Sequence, residues 1–152
     1  MASKKTEKSA PPVIRNKRSG YDYELSGFQE AGIVLMGSEV KSILKGKANL
    51  SGAFCRIKND EIWLEDMDIA PYEMASAFTP ERKRPRKLLM HKREIELIRR
   101  KSEEKGLTVI PTKIYFKNGK VKVEIAIAKK KKRFDKREKL IERHSEREKR
   151  LK

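Results

Sequence analysis

Only one cysteine, Cys55, occurs among the 152 residues of this chain, so no disulfide can form within it. That usage is typical of proteins in a reducing compartment. The chain also lacks any run of about 20 apolar residues, the length that crosses a membrane. Its start, MASKKTEKSAPP, lacks the apolar stretch of a signal peptide. We therefore expect a soluble, cytoplasmic protein in which Cys55, within the apolar stretch 53–57, is a buried thiol.

Catalytic and cofactor-binding patterns are missing as well. The two histidines, His91 and His144, lie far apart, and neither has a spacing typical of a metal site or a catalytic triad. The sequence has no P-loop, dinucleotide-binding, HExxH or paired CxxC pattern. Most carboxylates alternate with basic residues, as in solvated ion pairs. We expect no enzyme activity, no metal and no cofactor, and we expect His91 to be a helix cap or a surface residue.

What the chain has in excess is positive charge. Lys and Arg number 39 against 22 acidic residues, a net charge of +17. The charge is segregated: residues 1–20 carry +5, residues 21–128 carry +4 and residues 129–152 carry +8. A nearly balanced body with basic arms is typical of a protein that docks on nucleic acid and orders its arms there.

The densest basic segment is KKKKRFDKR, residues 129–137, in which seven of nine residues are cationic. Such a segment cannot enter a core, because buried charges would lose their hydration. Against a polyanion it would displace counterions, and Phe134 could stack on a base or ribose. A solvated tail or a targeting-like run remains the alternative.

The composition divides the chain into three parts. Residues 1–13, rich in Lys, Ser and Pro, are predicted to be a disordered basic arm. Residues 14–128 are the predicted folded body, and residues 129–152 are a basic tail. Acidic and basic residues alternate along 138–147, which predicts a tail that becomes helical on a partner.

The first half of the body predicts short strands around one short helix. Tyr21, Tyr23 and Leu25 share one face of a two-residue period, and Ile33 and Leu35 repeat this pattern after Ala31-Gly32. Ser38 is a suitable N-cap for the helix, and Gly46 is its predicted end. A hairpin follows, with strands at 54–57 and 62–64 around the turn Asn59-Asp60, and 69–72 is an edge strand or loop because of Pro71.

The second half predicts one long helix and one long hairpin. The predicted elements are a surface loop over Thr79–Lys87, a helix over Leu88–Lys105 that ends at Gly106, and strands over Thr108–Phe116 and Lys120–Ala128. Asn118-Gly119 is typical of a type I′ turn. Together the pattern favours a mainly β fold with inserted helices, a small OB-like closed antiparallel β-barrel.

Several sequence strings resemble one known family. They are NKRSGYDYEL, EAGIVLMGSEVKSILKGKANL, IWLEDMDIAPYE, RKRPRKLLMHKREI, KGLTVIPTKIYF and VKVEIAIAKKKKRFDKRE. In this order and spacing they resemble the small protein B (SmpB) family, the tmRNA- or SsrA-binding proteins, over residues 14–138. Lys130 stands where the family usually has Gly, and Phe134 stands where Tyr or His is common.

The resemblance implies a function in ribosome rescue. Proteins of this family bind the tRNA-like domain of transfer-messenger RNA (tmRNA) and deliver it to stalled ribosomes for trans-translation, without catalysing a reaction. The body takes the place of the missing anticodon arm, and the tail reaches the decoding centre and the empty mRNA channel. The expected partners are therefore tmRNA and the ribosome, and we expect a monomer. Composition alone also fits a structural ribosomal protein or a general basic RNA-binding protein.

The resemblance also implies site residues. Asn16, Glu30 and Leu89 match positions associated with tmRNA binding. Phosphate contacts are expected from Lys17, Arg18, Lys41, Arg86 and Lys87. The expected ribosome-engaging residues of the tail are Lys131, Lys132, Arg133, Phe134, Asp135, Lys136 and Arg137. For Glu39 the sequence leaves two roles open, an RNA contact or stabilisation of its own helix.

Overall fold

In the computed structural model the described residues are 10–74, 79–103 and 106–131, and the protein is mainly β in these ranges. The strands are β1 (Ile14–Arg15), β2 (Tyr23–Ile33), β3 (Ala48–Asn49), β4 (Phe54–Lys58), β5 (Glu61–Glu65), β6 (Asp68–Ile69), β7 (Arg86–Leu89), β8 (Leu107–Lys117) and β9 (Lys120–Lys130). The helices are α1 (Ser19–Asp22), α2 (Gly37–Leu44) and α3 (Lys92–Ser102).

All strand pairings are antiparallel. The large sheet has the order β1-β8-β4-β5-β7-β2-β9, and β9 also pairs with β8. The pairing therefore returns to β8 and closes a ring of six strands. In this ring β2, β4, β5, β7 and β9 each have two neighbours, and β8 has a third neighbour, β1. Strands β3 and β6 form a separate two-stranded sheet. The β8–β9 hairpin has the longest register, from Leu107↔Lys129 to Lys117↔Lys120.

The core lies behind one face of the large sheet. On β9, Val121, Val123 and Ile125 are buried, whereas Lys122 and Glu124 between them are partly exposed. This alternation is the period of a strand with one buried face. Helix α2 adds Ile43 to the core, and α3 adds Ile95 and Ile98. No helix in the described ranges is long and apolar enough to cross a membrane.

Both predicted hairpin turns are confirmed. Asn59 and Asp60 have φ of 52° and 61°, and Asn118 and Gly119 have φ of 52° and 74°. Two consecutive residues with positive φ are what a type I′ turn requires. The buried position of Cys55 is also confirmed, and burial raises the pKa of its thiol.

Several element boundaries were predicted wrongly. Tyr21 lies in α1 rather than in a strand. Met36, not Ser38, is the N-cap of α2, and Glu39 accepts a hydrogen bond from the Met36 N–H at 2.9 Å. The helix predicted from Leu88 begins at Lys92, because Leu88 belongs to β7.

Candidate nucleic-acid interface

A continuous outward face runs across strands β7, β2, β9, β8 and β1. Leu89 pairs with Gly32, Gly32 with Lys122, and Lys122 with Tyr115, which gives one row across four strands. Since residues two apart on a strand share a face, the next row belongs to the same surface. That row consists of Glu30, Glu124, Lys113 and Arg15. These two rows, with Lys117 and Lys87, are called the sheet face below.

Glu30 is held at the centre of the sheet face by two residues of β8. The Tyr115 hydroxyl donates to Glu30 Oε2 at 2.5 Å, and Lys117 Nζ lies 3.5 Å from both carboxylate oxygens. The hydrogen bond from Tyr115 and the nearby ammonium groups of Lys117 and Lys122 lower the pKa of Glu30. Glu30 is therefore an ionised acceptor within a basic surface.

Leu89 is a second predicted residue on this face. Its side chain is 54% exposed, although the preceding Leu88 is buried. A Cβ on Gly32 would lie 3.2 Å from the Leu89 Cβ, so the absence of a side chain at Gly32 leaves room for Leu89. Beside them is a groove of about 350 Å³, lined in part by Leu35, Val40 and Lys122. An apolar side chain beside such a groove can pack on the flat surface of an unpaired base.

Asn16 lies at the edge of the sheet face, beside a bulge in β8. Its side-chain Nδ2 donates to the Pro111 carbonyl at 3.0 Å, and its backbone N–H donates to the Thr112 carbonyl at 2.8 Å. The Asn16 carbonyl accepts a hydrogen bond from the Ser19 hydroxyl at 2.8 Å. These contacts attach the start of α1 to β8, so Asn16 orders the segment that contains Lys17 and Arg18.

The predicted phosphate-binding cations lie in three places. Lys17 and Arg18 are exposed beside α1, and Arg18 lies 3.7 Å from Asp22. Lys41 is exposed on α2, with Nζ 5.4 Å from the centroid of the Tyr72 ring. Lys87 is on the sheet face, two residues before Leu89, and pairs with Glu61 at 3.0 Å. These cations therefore do not form a single cluster, and only Lys87 belongs to the sheet face.

Arg86 does not belong to this surface, which corrects the prediction. Its side chain is 0% exposed, and its guanidinium donates to Glu39 Oε2 and, at 2.6 Å, to the Met67 carbonyl. The interval Thr79–Lys87 was predicted to be a surface loop, but β7 begins at Arg86 and directs that side chain inward.

Glu39, the partner of Arg86, is only 2% exposed. Burial alone would raise the pKa of Glu39, but hydrogen bonds from Arg84, the Met36 N–H and Arg86 outweigh burial and lower it. Of the two roles left open by the sequence, the structure supports the stabilising one.

Lys131, predicted to be the first ribosome-engaging residue of the tail, is also part of the body. It is 7% exposed, its Nζ donates to the Gly20 carbonyl at 2.7 Å, and its backbone N–H donates to the Asp22 carbonyl at 3.0 Å. The remaining predicted tail residues, Lys132, Arg133, Phe134, Asp135, Lys136 and Arg137, lie outside the described residues, as do 1–9.

Sequence reasoning did not identify Tyr115, Lys113 and Lys122 as residues of the sheet face. The sequence pattern that could have identified them is the alternation of polar residues along 113–117 and 120–124, on either side of the Asn118-Gly119 turn. Alternation shows that these side chains share an outward face. It does not show that β2, with Glu30, is the strand beside them.

Together, the fold and the sheet face define a small, mainly antiparallel β protein with a basic surface that carries a partly exposed tyrosine ring, an arrangement suited to nucleic acid. The chain belongs to the SmpB protein family, whose family model matches residues 13–152.

Curated relatives cover nearly the whole chain. The SsrA-binding protein of Desulforudis audaxviator is 52% identical over 136 residues, 90% of this chain and 89% of the relative. That of Persephonella marina is 53% identical over 136 residues, 90% of each chain. That of Chlorobium luteolum is 49% identical over 148 residues, 97% of this chain and 94% of the relative.

A solved structure shares the fold. It is described as "tmRNA-SmpB: a journey to the center of the bacterial ribosome". The chain is 46% identical to it with a TM-score of 0.69, and the match covers 80% of this chain and 86% of that one.

Proposed function

We propose that this protein binds the tRNA-like domain of tmRNA and delivers that RNA to stalled ribosomes for trans-translation. The observation that carries the proposal is the similarity to SsrA-binding proteins, 49–53% identical over 90% or more of the chain. A structural neighbour described as tmRNA-SmpB in the bacterial ribosome supports the same partners. The protein itself is a binding and delivery factor without catalytic chemistry, and it acts in the cytoplasm.

The fold we propose for the body is an OB-like barrel. The support for it is the cyclic pairing of six strands, which leaves no unpaired edge within the ring. Strands of such barrels expose one face to nucleic acid while the other face forms the core. The sheet face occupies this position on β2, β7, β8 and β9.

We propose the following contacts for the residues of the body. Glu30 accepts from a base or ribose donor of the RNA, since a carboxylate cannot favourably approach phosphate. Leu89 packs on an exposed base. Lys87, on the sheet face, and Lys17, Arg18 and Lys41, outside it, contact phosphates. Asn16 orders the segment before α1.

The tail has a separate role in this proposal. Residues 132–137 engage the decoding centre and the empty mRNA channel after the body has bound RNA. The anchored Lys131 supports this division, because it fixes the residue that precedes 132–137 in the sequence beside α1.

The experiment is binding to the tRNA-like domain of tmRNA, with generic duplex RNA of equal length as competitor, over a series of salt concentrations. If the domain is strongly preferred and stays bound as salt rises, recognition depends on RNA structure, as proposed. If both RNAs bind alike and dissociate with the same steep salt dependence, the net charge of +17 accounts for binding and the proposal fails.

A structural ribosomal protein is the alternative that the same charge would fit. Stoichiometry separates the two. A rescue factor is present on a minority of ribosomes and purifies with tmRNA, whereas a ribosomal protein is present in every subunit of its kind.

A further inference from the structure

The two acidic residues of the sheet face stand directly opposite each other on neighbouring strands. Glu30 on β2 pairs with Glu124 on β9. Like charges in directly opposed positions destabilise a sheet. Two carboxylates are also unfavourable on a surface that meets a polyanion. Other groups must therefore stabilise the two carboxylates in these positions.

Strand β8 provides each carboxylate with one hydroxyl group and one ammonium group. Glu124 Oε1 accepts from the Thr112 hydroxyl at 2.8 Å, and its Oε2 lies 3.6 Å from Lys113 Nζ. Glu30 Oε2 accepts from the Tyr115 hydroxyl, and Lys117 Nζ lies 3.5 Å away. Each carboxylate thus has its own pair of donors.

The contacts of Glu30 are unequal at its two oxygens. Oε2 accepts the short hydrogen bond from Tyr115, whereas Oε1 has, among the described residues, only the 3.5 Å contact with Lys117. The Tyr115 ring is itself held by its place in β8 and by Lys113, whose Nζ lies 5.4 Å from the ring centroid. One oxygen of Glu30 is therefore fixed, and the other remains an acceptor on the exposed side.

We propose that Tyr115 is a positioning residue for RNA recognition: its hydroxyl group fixes Glu30 so that Oε1 accepts a hydrogen bond from an N–H or O–H group of the bound RNA. The inference rests on the proposed function, because it assigns a role within the same interface. With Tyr115, the proposed interface includes a residue of β8 in addition to Glu30 on β2 and Leu89 on β7. Orienting the acceptor in advance avoids an ordering cost when the RNA binds.

The test is a double-mutant cycle of affinity for the tRNA-like domain, with the wild type, Tyr115→Phe, Glu30→Gln and the double variant. Tyr115→Phe removes only the hydroxyl group and keeps the ring beside Lys113. We expect each single variant to lose about three- to ten-fold in affinity, as for one hydrogen bond. The double variant should bind no more weakly than the weaker single variant, since both changes remove the same contact.

A control and a second readout separate positioning from general damage to the fold. Tyr23→Phe removes the same atom at the other end of β2, and it should bind like the wild type. In the free protein, an NMR titration of the Glu30 side chain should show its pKa rising in Tyr115→Phe. The charged groups around Glu30, namely Lys117 on β8 and Lys122 and Glu124 on β9, are the same in both proteins.

The outcomes distinguish this inference from the function on which it rests. A wild type that binds the tRNA-like domain and duplex RNA alike overturns the proposed function. A wild type that prefers the domain, together with a Tyr115→Phe variant of unchanged affinity, overturns only the role of Tyr115. Fully additive losses in the double variant, or an unchanged Glu30 titration, also overturn that role.

Discussion

Glu39 on α2 and Arg86 on β7 form an ion pair in the interior, with Arg86 Nη2 2.6 Å from Glu39 Oε2. Their exposures are 2% and 0%. Arg84 donates to the other carboxylate oxygen of Glu39, which also accepts the Met36 N–H at the start of α2. The pair therefore attaches α2 to the strand that carries Lys87 and Leu89, two residues of the sheet face.

Arg86→Met should destabilise the fold by about 3 kcal/mol, because it leaves the buried Glu39 carboxylate without one of its two guanidinium partners. Lys87→Met is the matched control on the same strand. Its ion pair with Glu61 is solvent-exposed, so its loss should change the free energy of unfolding by less than about 1 kcal/mol. Urea unfolding measures both values. Equal decreases in the free energy of unfolding would show that the buried ion pair of Arg86 stabilises the fold no more than the exposed pair of Lys87.

In RNA binding the order of the two variants should be reversed, with Lys87→Met affected and Arg86→Met unaffected. Lys87→Met should lower the slope of log affinity against log salt concentration by about one, the change expected when one phosphate contact is lost. Arg86→Met should keep the wild-type salt slope at a temperature at which it remains folded. A reduced slope for Arg86→Met alone would restore the original prediction that Arg86 contacts phosphate.

Gly32→Ala should weaken RNA binding several-fold through Leu89. The added Cβ would lie 3.2 Å from the Leu89 Cβ, so the leucine must shift from its place beside the groove, and overpacking should cost about 1 kcal/mol of stability. Gly37→Ala, where nothing lies within 4 Å of an added Cβ, is the control and should bind normally. Equal affinities for the two variants would remove Leu89 from the interface.

Lys131→Met should lower the free energy of unfolding by about 1 kcal/mol, because the Gly20 carbonyl loses its charged donor. Lys130→Met, at the exposed last residue of β9, should have little effect. Hydrogen exchange gives a local measurement: the Lys131 N–H, bonded to the Asp22 carbonyl, should exchange faster in Lys131→Met than in Lys130→Met. Equal exchange would mean that the side chain does not anchor this end of β9.

Replacement of Asp135, Lys136 and Arg137 together by Ala should leave affinity for the tRNA-like domain nearly unchanged and abolish peptide tagging on stalled ribosomes. The reason is the proposed division between an RNA-binding body and a ribosome-engaging tail. The measurements are domain binding and a reconstituted tagging assay. Loss of RNA binding to the same extent as tagging would contradict that division.

The local sequence was sufficient for the hairpins and the charge distribution. Asn59-Asp60 and Asn118-Gly119 were predictable as turns because few residues adopt positive φ at two successive positions. The alternation along β9 predicted its buried face, and the basic run after β9 was evident from composition. Each of these properties depends on neighbours within a few residues along the chain.

The tertiary structure decided which predicted residues reach the surface together. Arg86 follows a run of Arg, Lys and Pro residues and has the same local character, yet the register of β7 directs it inward to Glu39. Glu30 meets Tyr115 only because β2 and β8 both pair with β9. A two-residue period determines the side of a strand on which a residue lies, but the partner strand is set by long-range pairing that no local pattern encodes.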